Sequence, residues 1–147
     1  MMKFEQRLAA ARTLGSLLTA FIAECAPQPP DAIVPVPLHP RRLRQRGFNQ
    51  ALEIARPVAR FLGVPLETGA VQRIKPTRPQ SELKGLRERR SNLHRAFAYR
   101  QTRGNWLNVA VVDDVMTTGT TTEELTRVLL DHGVERVSIW TCARAAA

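Results

Sequence analysis

The chain is poor in the residues that cross-link, stack or span a bilayer. It has only two cysteines, Cys25 and Cys142, far apart and with no Cys-x-x-Cys spacing. That excludes a disulfide framework and a four-cysteine zinc site, and it makes a reducing cytoplasm the expected home, with both residues as simple buried thiols. No run reaches the ~18 to 20 consecutive apolar residues that cross a membrane. The N-terminus lacks the basic, apolar, small-residue order of a signal peptide, so no membrane insertion is expected. No Gly-x-x-x-x-Gly-Lys-Ser/Thr run occurs, which excludes a P-loop. His39, His94 and His132 show no metal-ligand pairing, and no Ser/His/Asp constellation can be drawn. Acidic residues are also scarce: 13 against 22 lysines and arginines give a formal charge of +9. The excess is concentrated. Residues 41–46 carry four arginines, and residues 73–100 carry nine basic side chains against Glu82 and Glu88, while the rest of the chain is slightly acidic. Such clusters concentrate polyanions, whether pyrophosphate or nucleic acid.

What is present reads as one α/β domain of 147 residues, with 44% apolar and 24% charged content, long enough for a real core. In residues 1–30, Phe4, Leu8, Ala11, Leu14, Leu18, Phe21 and Ile22 recur at helical spacing, which predicts an amphipathic helix packed on the domain and then a Pro-rich linker. Residues 32–38 read as a first central strand, with Pro35 and Pro37 leaving one side free or irregular. Asn49 is placed to cap a helix running to about Leu62, with Ala51, Leu52, Ala55, Val58 and Ala59 inward. Pro57 should kink or break that helix, and Gly63 should end it. Short strands are expected over 70–74 and 96–99, with a long charged loop over 77–93 between them. A strand over 107–112, a helix over 121–132 with Thr121 and Glu124 at capping-box spacing, and a last strand over 134–142 complete the pattern. Strand–helix–strand repetition implies right-handed crossovers and a mostly parallel central sheet flanked by helices.

The densest signal is the run Val-Ala-Val-Val-Asp-Asp-Val-Met-Thr-Thr-Gly-Thr-Thr over residues 109–121. Four small apolar residues suit a strand buried on both faces. Two carboxylates, Asp113 and Asp114, follow at the strand's exit, and then a hydroxyl-rich turn with one glycine leads into a helix. Open α/β sheets put ligands at such strand ends. The helix N-terminus favours a phosphate, and paired carboxylates can accept hydrogen bonds from a sugar diol or hold Mg²⁺. The local chemistry is that of a site for a phosphorylated sugar.

These thirteen residues resemble the phosphoribosyl pyrophosphate signature of type I phosphoribosyltransferases. A second block, Ile-Val-Pro-Val-Pro-Leu-His-Pro-Arg-Arg-Leu-Arg-Gln-Arg-Gly-Phe-Asn-Gln over residues 33–50, is similar to the ComF family, which includes GntX-type proteins and is associated with DNA uptake in transformable bacteria. A third, from Thr77, Arg78, Pro79 and Gln80 through Arg87, Arg90 and Asn92 to Phe97, has the same family's spacing. The resemblance covers about residues 31 to 144 and implies a type I phosphoribosyltransferase-like domain over 31–147, with residues 1–30 as a candidate hood. The family commonly carries a four-cysteine zinc module before this domain, and the expectation here is a transferase domain without it.

By that resemblance, Thr117, Thr118, Gly119, Thr120 and Thr121 would hold the donor's 5-phosphate, and Asp113 and Asp114 would engage the ribose hydroxyls directly or through Mg²⁺. The loop over 39–47 would face pyrophosphate. Arg41, Arg42, Arg44 and Arg46 are all candidates there, with Arg46 favoured because Gly47 beside it permits close backbone approach. Lys84, Arg87 and Arg90 are candidates for a mobile cationic loop over pyrophosphate, and Gln80 for orienting substrate. Purine-type members usually carry an aspartate base where this chain has Thr117, so a proton would have to leave by another route. Three functions follow: Mg²⁺-dependent phosphoribosyl transfer to an unidentified acceptor; sensing of phosphoribosyl pyrophosphate without turnover; and single-stranded DNA binding alongside competence-machinery proteins, for which Phe48, Phe97 and Tyr99 supply few stacking platforms.

Overall fold

In the computed structural model, which describes residues 2–25, 28–76, 85, 87, 91, 94–100 and 104–145, the apolar run becomes the middle of a parallel sheet. The elements in chain order are α1 (Met2–Cys25), β1 (Ala32–Pro35), α2 (Pro40–Arg46), α3 (Gln50–Leu62), β2 (Val71–Arg73), β3 (Phe97–Tyr99), β4 (Asn108–Met116), α4 (Thr120–Leu130) and β5 (Arg136–Arg144). β4 lies between β1 and β5 and is parallel to both. Pro35 faces Val112 in the β1–β4 register and has no N–H to give. The ladder resumes at Val36, whose N–H donates to the Val112 carbonyl at 2.9 Å. β2 and β3 form a separate antiparallel pair.

Residues 109–112 are fully buried because alternate side chains leave the strand on opposite faces. Val109 and Val111 join Val34, Val36, Leu125, Val128 and Leu129 in a core roofed by α4 and the β2–β3 pair. Ala110 and Val112 join Ile33 and, from α1 and α3, Ala11, Leu18, Ile22, Ile54, Ala55 and Val58. Burying a side chain of this size contributes about 1.5–3 kcal/mol, so β4 is the firmest place in the fold from which to hang a site.

Asn49 and Gly63 bound α3 as expected: the Asn49 side chain accepts from Ala51 N at 3.1 Å, and Gly63 closes the helix at φ 66°. Pro57, expected to kink or break the helix, does not break it; α3 is continuous through it. A Cβ on Gly15 of α1 would lie 2.7 Å from the Pro57 ring and 2.9 Å from Ile54 O. Glycine there lets the two helices approach, and the proline ring packs at that notch.

Other boundaries moved. β1 is shorter than 32–38, and β4 extends through both aspartates to Met116, because β5 runs long enough to pair with Asp113, Val115 and Met116. The expected 39–47 loop contains a seven-residue helix, α2, with Pro40 at its start and Gly47 at φ 83° closing it. The Thr121–Glu124 capping box does not form: α4 begins at Thr120 after Gly119, and Glu124 instead accepts from Arg95 N at 2.9 Å and pairs with Arg127 at 2.8 Å. In α1, Ala11, Leu18 and Ile22 are buried, but Phe21 and Leu17 are exposed. By length and composition alone, Glu5–Cys25 would suffice to cross a membrane; here that helix packs on α3 and β5.

Candidate functional site

The β4 strand carries its two acids to the rim of a cavity of about 290 Å³. Asp113 and Asp114 are both half-buried. Each has one oxygen engaged by the next residue: Asp114 N donates to Asp113 Oδ1 at 2.9 Å, and Val115 N donates to Asp114 Oδ1 at 2.8 Å. Burial first, and then the Asp114 charge beside it, push the Asp113 carboxyl up to about 7; Arg73 pulls in the opposite direction. Two half-buried carboxylates side by side are an arrangement that a divalent cation relieves. A pair of carboxylates suits Mg²⁺, which commonly takes one or two of them together with substrate phosphate oxygens and water. Asp113 and Asp114 would hold it.

Gly119, at φ 80°, turns the chain into α4, whose first-turn N–H groups have no helical acceptor. No side chain caps that start, so the helix end is left for an anion. Thr118 and Thr120 join their hydroxyls at 2.7 Å, and Thr122 Oγ1 donates to Gly119 O at 2.8 Å, which fixes the turn. Thr117, Thr118, Gly119, Thr120 and Thr121 all line the cavity.

Part of the lining is basic. Arg42 and Arg46 come from α2, which is held in place by the Asn49 side chain donating to Val36 O at 3.0 Å while capping α3. Arg46 donates to Gln50. Arg42, Arg46 and Gln50 line the cavity, Arg41 lines an adjoining one, and Arg44 lines neither. Arg87 is exposed and does not line the cavity. Lys84, Gln80 and Arg90 lie outside the described residues. α1 sits on α3 and β5, and no described residue of 1–30 lines the cavity.

One lining residue escaped the sequence reading. Arg73 of β2 reaches the cavity with its guanidinium 5.6 Å from the Phe97 ring centroid. Burial, followed by the neighbouring Arg42 charge, lowers its pKa to about 10, and Asp113 opposes that shift; it stays charged at neutral pH. Strand alternation was the available signal, since Arg73 shares a face with buried Val71 while Gln72 points out. The aromatics proposed for base stacking are engaged internally: Phe97 is buried, Tyr99 stacks on His132 at 4.4 Å, and Phe48 packs against the α3 side of the core.

Competence protein F of Haemophilus influenzae is 36% identical over 97% of this chain and 65% of that protein. The DNA utilization protein YhgH is 36% identical in Escherichia coli K12 and 35% in Salmonella typhimurium, over 97% of this chain and 64% of each relative. The chain is a homologue of these proteins. It spans 64–65% of the length of these relatives. No protein-family model matches it. Among solved structures, the allosteric regulatory enzyme of purine biosynthesis superposes with a TM-score of 0.60 at 20% identity, over 92% of this chain and 26% of that one. A purine phosphoribosyltransferase from Pyrococcus horikoshii gives 0.50 at 18%, over 95% and 73%. The fold is that of the type I phosphoribosyltransferases.

Proposed function

We propose that the chain binds phosphoribosyl pyrophosphate with Mg²⁺ and transfers ribose 5-phosphate to an acceptor, in the setting of DNA uptake and use that the names of its relatives indicate. The observation that carries this reading is the division of charge within one cavity. Two carboxylates and a helix N-terminus line it together with Arg42, Arg46 and Arg73. A donor with a 5-phosphate, a diol and a pyrophosphate asks for that set of groups.

In this reading the threonine loop and the α4 N-terminus fix the 5-phosphate, and Asp113 and Asp114 accept hydrogen bonds from the ribose diol. The arginines stabilise negative charge gathering on pyrophosphate as its bond to the anomeric carbon lengthens. All of these groups are in place beforehand, so catalysis is positioning and electrostatics. Mg²⁺, when bound at the acid pair, supplies further neutralisation of the leaving group. Calorimetric titration of phosphoribosyl pyrophosphate with Mg²⁺ tests the reading: saturable binding to the wild-type chain, lost in Asp114→Asn, is expected. A folded wild-type chain that binds nothing would sink it.

A second reading, binding without turnover, draws on Thr117, which stands on the cavity wall and cannot act as a general base at neutral pH. Pyrophosphate release separates the two. Donor binding with no release across a panel of purines, pyrimidines and amines favours the sensor.

A further inference from the structure

A second cavity, of about 270 Å³, adjoins the first. The two share Arg42, Arg46 and Arg73; His39, Arg41 and Gln45 line the second alone, with Pro76. No carboxylate is among the described residues that line it. Four guanidinium groups around one hollow give it a positive potential that draws an anion. Burial and then the Arg42 charge lower the Arg73 pKa, and Asp113 opposes them. In the proposed donor complex the pyrophosphate meets the three shared arginines, while Arg41 and His39 line the second cavity alone. A two-phosphate group therefore leaves part of the cationic lining unmatched.

We infer that the second cavity is a subsite for a third phosphoryl group, so that a linear triphosphate, free or as the end of a nucleoside triphosphate, binds across both cavities in competition with the ribosyl donor. This rests on the reading that the donor's pyrophosphate meets Arg42, Arg46 and Arg73. The chemistry is anion recognition by planar guanidinium forks, which suits phosphoryl oxygens. Its consequence would be control: a triphosphate would hold the site closed to the donor by occupying the same three arginines, without any conformational change.

The test is calorimetry with Mg²⁺ on the full chain, using inorganic pyrophosphate, inorganic tripolyphosphate, ATP and phosphoribosyl pyrophosphate. Tripolyphosphate is expected to bind at least tenfold tighter than pyrophosphate and to be displaced by the donor. Arg41→Gln should erase that tenfold gain while leaving pyrophosphate affinity within twofold. Arg44→Gln removes the same charge from the same helix but lines neither cavity, and it should preserve the gain. ATP binding as tightly as tripolyphosphate assigns the subsite to nucleotides; tripolyphosphate binding alone assigns it to free polyphosphate. Equal affinities for pyrophosphate and tripolyphosphate would overturn the inference. So would Arg44→Gln costing as much as Arg41→Gln, because long-range charge alone would then explain the gain. Failure of phosphoribosyl pyrophosphate itself to bind would instead strike the donor reading, and is seen in a separate titration.

Discussion

The carboxylate side of the cavity and its arginine side are built by opposite means. Asp113, Asp114 and the threonine loop lie within nine residues of the chain, follow the buried run 109–112, and are fixed by short local hydrogen bonds. Arg42, Arg46 and Arg73 come from two elements separated by α3, and Arg46 is exposed. A contiguous, buried half is preorganised and unforgiving. A dispersed, half-solvated half shares its work among several cations and is screened by salt.

The largest expected effect separates the halves directly. Asp114→Asn removes one of the two carboxylates at the site, and donor affinity with Mg²⁺ should fall at least about a hundredfold, in line with one or two charged interactions lost. Arg42→Gln leaves Arg46 and Arg73 in place and should cost only about tenfold. Equal losses in calorimetry would break the comparison, showing the arginine wall to be as indispensable as the acid pair.

Next in size is stability, where the acid half should prove costly to keep. Asp113 is held near 7 in the folded chain against about 3.9 unfolded. The folded state therefore binds more protons between those values, and stability falls as pH rises from about 4 through about 7. Asp113→Asn should raise the urea stability of the metal-free chain at pH 8 by roughly 2 kcal/mol and flatten its pH profile, while abolishing donor binding. Donor binding to the wild type should strengthen over the same pH rise, because the ionised carboxylate is the ligand. A wild-type profile flat from pH 5 to 8 would mean that the acid pair is not strained.

Gly119→Ala probes the turn between acids and helix. A methyl there would meet nothing closer than Met116 Sδ at 3.7 Å, so its cost is the positive φ alone, about 1–2 kcal/mol. Urea unfolding measures this, and a loss under about 0.5 kcal/mol would show that the loop relaxes freely.

The same contrast explains what could be read from the sequence. The 109–121 run encodes its half of the site in order, so Asp113, Asp114 and the loop residues could be placed together before any coordinates. The parallel sheet was equally legible, because residues 109–112 are apolar at every position and so belong in a strand buried on both faces. Arg73 was not, since its neighbours in space lie about 30 and 40 residues away in sequence and only strand alternation marked it. α2 was legible in hindsight from Pro40 and Gly47, the start and stop signals of a short helix, but its arginines read as loop. Pro57 misled because a local rule about proline takes no account of the Gly15 notch that receives it. The capping box failed for a similar reason: Glu124 found Arg95, a partner that spacing within the helix cannot show, as well as Arg127 one turn on.

The smallest expected effect lies at the solvent edge of the basic wall. Arg46 is exposed, and its hydrogen-bond partner, Gln50, is neutral. Arg46→Gln should leave urea stability within about 0.5 kcal/mol of wild type, as surface substitutions away from special features do. Donor affinity should drop severalfold at low ionic strength, and by less at high salt, where screening already weakens the Arg46 contribution in the wild type. Asp114→Asn should show no such convergence with salt, because a ligand lost from a half-buried acid pair is not recovered by screening. Parallel salt series for the two variants therefore measure the difference between the halves. If the Arg46→Gln deficit persisted undiminished at high salt, Arg46 would be a close, desolvated contact of the donor, and the arginine wall would share the rigidity of the acid corner.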